Sequence, residues 1–173
     1  MFFALIFDAK GNGVGTHVYA EQPQALPSNQ IACTQDQSQN PQSWSIVNGN
    51  LIQNVESSQA DQISLLKQSY ATAIAQTVTY TSKGGVTKTY QADPGSISNL
   101  QNMLLAFQAA AAVPAGFYWV AADNTQVPFT YADMQGLAQT IGAQGAAAFQ
   151  HLQTLKAKVL AATTVSAVQA ITW

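Results

Sequence analysis

From about residue 130 to 161 the chain carries one unbroken helical pattern, and this stretch restricts the fold more than any other. Met134, Leu137, Ile141, Ala148 or Phe149, Leu152, Leu155 and Val159 recur at alternating steps of three and four. That spacing lays an apolar stripe along one face of a helix about four heptads long. Alanines are abundant along it, and small residues let neighbouring helices approach closely. Gly142 and Gly145 sit in the middle, each costing up to about 1 kcal/mol relative to alanine. Close packing of backbones against them would offset that cost. Thr130, followed three residues later by Asp133, reads as the N-terminal cap, with an acid complementing the helix dipole.

The residues feeding this helix form a compact unit of their own. Phe117, Tyr118 and Trp119 are followed by a turn signal at Asp123-Asn124, then by Val127, Pro128 and Phe129. Aromatic and β-branched runs on either side of Asp-Asn predict a short hairpin. Tyr118, Trp119, Phe129 and Tyr131 then gather where hairpin meets helix. Such clusters are most often core or interface anchors; the alternative is a sugar-binding groove.

Upstream, residues 1–55 form a β-rich module. Phe3–Phe7 predicts a strand, Asp8 to Gly13 a turn and Val14–Tyr19 its return, with a further short strand at Gln30–Thr34 and a polar loop over Gln35–Gln42. Trp44–Val47 and Asn50–Gln53 flank Asn48-Gly49, a dipeptide suited to a two-residue turn with positive φ at both positions. Residues 56–173 form the second module. A helix over 57–76, capped by Ser57 or Ser58, aligns Ile63, Leu66, Tyr70 and Ile74. A hairpin over Thr77–Gln91 follows. A three-residue loop, Lys83-Gly84-Gly85, pairs Val78 with Tyr90 and Tyr80 with Lys88, placing Val78, Tyr80, Val86 and Tyr90 on one face; a two-residue loop would split the tyrosines. Asp93 or Ser96 caps a helix that Pro94 opens, with Ile97, Leu100, Leu104 and Phe107 along its stripe. Thr163 or Thr164 caps a last short helix over Val165–Ile171. The fold class is therefore α+β: a small β-rich N-terminal module, then helix, hairpin, helix, hairpin and long helix.

Composition narrows the function. Charged residues make up 8 % of the 173, against roughly 25 % in an average soluble chain. With a net charge of −2 there is no basic face for nucleic acid or for an anionic membrane. No apolar run approaches the roughly 20 residues that span a bilayer. Weak long-range repulsion tolerates close packing against other protein, so the composition favours an assembled state. Gly11, Gly13 and Gly15 lead into a strand rather than a helix, which fits a turn and not a phosphate loop. His17 and His151 lack neighbouring acids or cysteines at ligand spacing, so no metal is expected; His151 faces solvent or an inter-chain contact. Cys33 reads as a structural thiol. Asp123 and Asp133 could form a carboxylate pair, but a turn and a cap explain them better. No catalytic residue and no cofactor is expected.

The run from Phe117-Tyr118-Trp119 through Asp123-Asn124, Phe129-Thr130 and Asp133-Met134 to Leu137 resembles a small family of domains of tailed bacteriophages and prophages. Gln144-Gly145, Phe149, Leu155-Lys156, Ala161 to Ile171 and, upstream, Tyr90 to Asp93 with Asn99-Leu100 fit the same pattern. Those domains are encoded beside tail fibre genes, or fused to the C-terminal ends of tail fibre and fibre-assembly proteins. Leu26-Pro27, Ile31 to Thr34, Trp44 and Val47 to Leu51 look like the start of many such proteins. The resemblance implies a non-enzymatic virion protein, fibre- or baseplate-associated, made in the bacterial cytoplasm and acting by assembly. Its expected partners are itself, as a homotrimer, and other tail or fibre proteins. Two alternatives stand beside it: a fibre assembly chaperone absent from the mature particle, and a receptor-binding tip that uses the aromatic cluster on host glycans. The interaction surface is expected at Tyr118, Trp119, Phe129, Tyr131, Met134, Leu137, Ile141, Phe149 and Leu152.

Overall fold

Backbone contacts divide the chain into two units in the computed structural model, which describes residues 1–173: residues 1–65 with 156–172, and residues 66–155 with 173. Strands and helices occur in both, and the class is α+β. The expected modules, 1–55 and 56–173, differ from this division in giving residues 56–65 of helix α2 (Val55–Ile74) and residues 156–172 to the second.

The first unit starts from a three-stranded antiparallel sheet. β1 (Phe2–Phe7) lies between β2 (Gly13–Tyr19) and β3 (Gln30–Cys33), pairing Leu5 with Thr16 on one side and Ile31 on the other. As the central strand, β1 is covered on both faces, and Ala4 and Leu5 are fully buried. The β1–β2 turn is tied by Asp8, whose carboxylate accepts from the Lys10 and Asn12 amides at 2.8 and 2.9 Å. These bonds hold its pKa below the ordinary carboxylate value. The expected glycine-rich turn is therefore an Asp8-centred loop, with Gly11 at φ 83°. Gly13 is buried against the backbone of Pro41, so that a Cβ there would overlap the Pro41 carbonyl.

Residues 35–42 are not the polar loop expected from composition. Thr34 accepts from the Gln37 amide and Gln37 returns a bond to the Thr34 amide, a reciprocal cap that starts the short helix α1 (Gln35–Ser38). A 3₁₀ turn, Pro41–Ser43, leads into the β4–β5 hairpin (Trp44–Val47, Asn50–Gln53). Its turn has Asn48 at φ 52° and Gly49 at φ 77°, the mirror-image turn that suits strand twist. Helix α2 begins earlier than expected, because Asn54 rather than a serine caps it, accepting from the Ser57 amide at 3.1 Å. Gln59 donates to the Ala162 carbonyl and Gln62 to that of Ile171, which joins the C-terminal segment to this unit. That segment holds the short helix α5 (Val165–Gln169), capped by Thr164.

The second unit gathers two hairpins and three helices. β6 (Val78–Thr81) pairs with β7 (Thr87–Tyr90) in the register that places Val78 opposite Tyr90 and Tyr80 opposite Lys88. The loop has three residues, with Gly85 left-handed at φ 80°. Tyr80 and Tyr90 share a face, ring centroids 6.4 Å apart. α3 (Pro94–Phe107) is capped by Asp93, which accepts from the Gly95 and Ser96 amides. β8 (Tyr118–Val120) pairs with β9 (Gln126–Pro128), and α4 (Tyr131–Ala161) follows. The Ala122 amide donates to Thr89 at 2.8 Å, tying the second hairpin to the first. Lys88 adds an exposed ion pair to Asp123 at 2.7 Å. The core comprises Val78, Tyr90, Leu100, Ala121, Val127, Phe129, Met134 and Leu137. The Tyr90 hydroxyl is sealed in it without a partner.

Two substitutions test this packing by chemical denaturation. Gly13→Ala forces a Cβ into backbone that has no rotamer by which to yield, and should destabilise the protein by about 3 kcal/mol. Tyr90→Phe removes an unpaired hydroxyl and keeps the ring, so it should stabilise by about 1 kcal/mol.

Candidate functional site

α4 starts from a buried carboxylate. Asp133 is 1 % exposed, and its two oxygens are fully used. Oδ2 accepts from the Thr130 amide at 2.8 Å and the Thr130 hydroxyl at 2.6 Å. Oδ1 accepts from the Lys83 amide at 2.6 Å and the Tyr80 hydroxyl at 3.3 Å. The Asp133 amide in turn donates to Thr130 Oγ1 at 3.1 Å, closing a reciprocal cap. No cation touches it; Lys83 contributes its backbone, not its ammonium. Burial pushes this carboxyl up, but the bonds from Thr130, Lys83 and Tyr80 together outweigh it, and its pKa lies below the ordinary value. The same burial, and then the Asp133 charge, raise the pKa of the Tyr80 hydroxyl. Tyr80 reaches this position because Gly136 leaves room: a Cβ there would lie 2.8 Å from the Tyr80 ring.

One turn further along α4 the surface changes character. Ala138, Ile141, Gly142 and Gly145 fall at i, i+3, i+4 and i+7 and floor a groove of about 280 Å³. α2 walls it with Tyr70 and Ile74, and α3 with Ile97, Leu100 and Gln101. A Cβ built on Gly142 or Gly145 meets nothing within 4 Å. The close backbone packing expected to offset these glycines is therefore absent from this chain's own fold. Beside the groove, Gln144 donates to the carbonyls of Ala73, Ile74 and Gln76 and satisfies the end of α2. Residues 68–82, 94–122 and 134–155 contain no Asp, Glu, Lys or Arg, so apart from His151 these stretches present amide, hydroxyl and apolar side chains.

The residues expected at an interaction surface divide into three groups. Phe129, Met134, Leu137 and Leu152 are buried, so the first three act as the joint between hairpin and helix rather than as free surface. Tyr131 and Trp119 are half-buried against the same core. Ile141 lines the groove, while Tyr118 and Phe149 are about half exposed, at 47 % and 51 %. The expected aromatic cluster thus does not form one open platform. Tyr118 and Trp119 line a shallow cleft of about 370 Å³ with Phe117, Met103, Ser96 and Asn99, which Phe129 does not line. Phe149 packs edge-on to Tyr70, ring centroids 6.4 Å apart, and His151 edge-on to Trp173 at 4.8 Å. Asp123 and Asp133 do not pair with each other; each serves its own turn or cap. Cys33 is half-buried in β3, and burial raises its thiol pKa. Sequence reasoning missed Gly136, Gln144 and the tertiary donors to Asp133. Gly136 had a local signal, a third glycine inside a helical pattern, but only the fold supplies Tyr80 as its reason.

No helix is long and apolar enough to cross a membrane, and no group of three or more His, Cys, Asp or Glu is placed to hold a metal ion. Among known families, the model described as "Domain of unknown function (DUF4376)" matches residues 57–172. No curated protein and no solved structure matches the chain.

Asp133→Asn tests the capping centre. It removes the charge and turns an NH₂ toward donors, and should cost about 3 kcal/mol in chemical denaturation. Because the folded pKa lies below the unfolded one, the carboxylate's contribution is complete above pH ~4 and is lost as pH falls through the folded value. The wild type should therefore lose stability on acidification more steeply than Asp133→Asn.

Proposed function

The chain belongs to the DUF4376 family, and from that premise we propose that it is a non-enzymatic assembly protein that associates with further copies of itself through the groove face of α4. The observation that carries this reading is the pair of glycines open to that groove. Each weakens a helix by up to about 1 kcal/mol relative to alanine, and nothing in the chain's own packing uses the space they leave. A second backbone approaching α4 would use it. The absence of charge along 68–82, 94–122 and 134–155 supports the same reading, since identical copies can face each other there without like-charge repulsion. Half-exposed Phe149 and the open Leu105, 72 % exposed, supply apolar surface to cover. The sequence resemblance to domains of tailed phages gives the setting: a tail fibre or baseplate, with other tail proteins as further partners and a homotrimer as the assembled form.

Gly142→Ala with Gly145→Ala separates association from folding. With open space at both positions, the double variant should melt higher than wild type. By blocking close backbone approach it should also shift sedimentation equilibrium toward the monomer. Wild type that sediments as a monomer at micromolar concentration, together with absence of the chain from purified particles by mass spectrometry, would overturn the proposal. Presence during assembly but not in the particle would assign it to fibre assembly instead.

A further inference from the structure

The first unit contains a polar cleft that the assembly reading does not use. It has a volume of about 450 Å³, within the range of small-molecule sites. One face of α2 forms its floor: Ser58, Asp61, Gln62 and Leu65 follow at i, i+3, i+4 and i+7. The β4–β5 hairpin contributes Trp44 and Gln53, which are direct cross-strand partners. α1 and the residues after it bring Asp36, Gln37 and Asn40, and α5 brings Gln169.

Four features make this a built site rather than a surface dent. Ser58 is 8 % exposed, lines the cleft, and its hydroxyl makes no hydrogen bond within the protein. The hydroxyl itself reaches solvent, so it is free to bond a ligand in the cleft. The carboxylates of Asp36 and Asp61 are likewise unengaged, and no lysine lines the cleft. Two of the amides are oriented by the fold. Gln62 donates its NH₂ to the Ile171 carbonyl at 2.7 Å, which leaves its oxygen to accept. Gln37 accepts from the Thr34 amide at 2.9 Å, which leaves its NH₂ to donate. The fourth feature is the half-buried indole of Trp44 among these groups.

We propose that this cleft binds a neutral saccharide. A sugar hydroxyl both donates and accepts, and it needs acceptors and donors side by side. The carboxylates and Gln62 supply the first, Gln37 and Asn40 the second. The apolar C–H face of a pyranose packs on an aromatic ring, which is the part Trp44 offers. Five carboxamides and two hydroxyls against two carboxylates suit an uncharged ligand better than a cationic peptide. The cleft beside Tyr118 and Trp119 has no carboxylate, so it lacks the charged acceptors of this set. This site is independent of self-association through α4.

Saturation-transfer NMR on the full chain tests it, with glucose, galactose, mannose, N-acetylglucosamine and their common disaccharides at millimolar concentration. At least one sugar should receive saturation. Its affinity should fall on the order of tenfold or more in Asp61→Asn, which removes a charge-assisted bond, and in Trp44→Ala. Asp61 is exposed and its replacement isosteric, so Asp61→Asn keeps the test valid if Trp44→Ala unfolds the hairpin. Trp119→Ala should leave binding unchanged. No transfer from any sugar, transfer insensitive to Asp61→Asn, or transfer lost in Trp119→Ala would each overturn the proposal.

Discussion

The second unit depends on an ionised carboxylate held in the protein without a countercharge. Removing a carboxylate from water is expensive, and four donors aimed at two oxygens replace the solvent at Asp133. Those donors come from two places far apart in sequence: Thr130 beside it, and Tyr80 with Lys83 some fifty residues earlier. The capping centre is thus also a tertiary clamp between the β6–β7 loop and the start of α4. A one-residue slip of the hairpin would withdraw the Lys83 amide and leave the charge under-satisfied. The three-residue loop, the left-handed Gly85 and the absence of a side chain at Gly136 all serve one bonding pattern.

A helix fastened so firmly at one end can carry weak residues further along. Gly136 is used by the fold, since Tyr80 fills the space above it; Gly142 and Gly145 are not. The contrast within one helix distinguishes glycine as a packing device from glycine that leaves a surface open. Stability rarely reaches its optimum where a surface must do something else. The groove over these two positions meets that description, being apolar, free of charge and walled by two further helices.

Much of this was legible where the stereochemistry is local. Thr130 with Asp133, Asp93 with Pro94, Thr164, and Asn48-Gly49 each announce a cap or turn through groups a few residues apart. The β6–β7 register was legible because only one loop length puts Tyr80 and Tyr90 together. Two local signals were passed over: Thr34 with Gln37, a reciprocal cap hidden in a glutamine-rich stretch, and Asn54, a helix cap placed directly after a strand. The rest was illegible in principle. Lys83 reaches Asp133 through a backbone amide, which no residue identity encodes. Ser58, Asp61 and Gln62 share a helix face in any reading, but their convergence with Trp44 and Gln37 exists only in the folded unit.

Scarcity adds an argument for that convergence. The chain has eight acids. Asp8, Asp93, Asp123 and Asp133 each accept backbone amides in a turn or cap, and Glu56 stands in the first turn of α2, where its charge favours the helix dipole. Asp36 stands likewise in the first turn of α1, and with Asp61 of α2 it lines one cleft. In a protein that covers its surface with amides and hydroxyls, these two carboxylates line one cleft without a cation and make no side-chain hydrogen bond within the fold. An uncharged ligand rich in hydroxyl donors would occupy both without needing either neutralised.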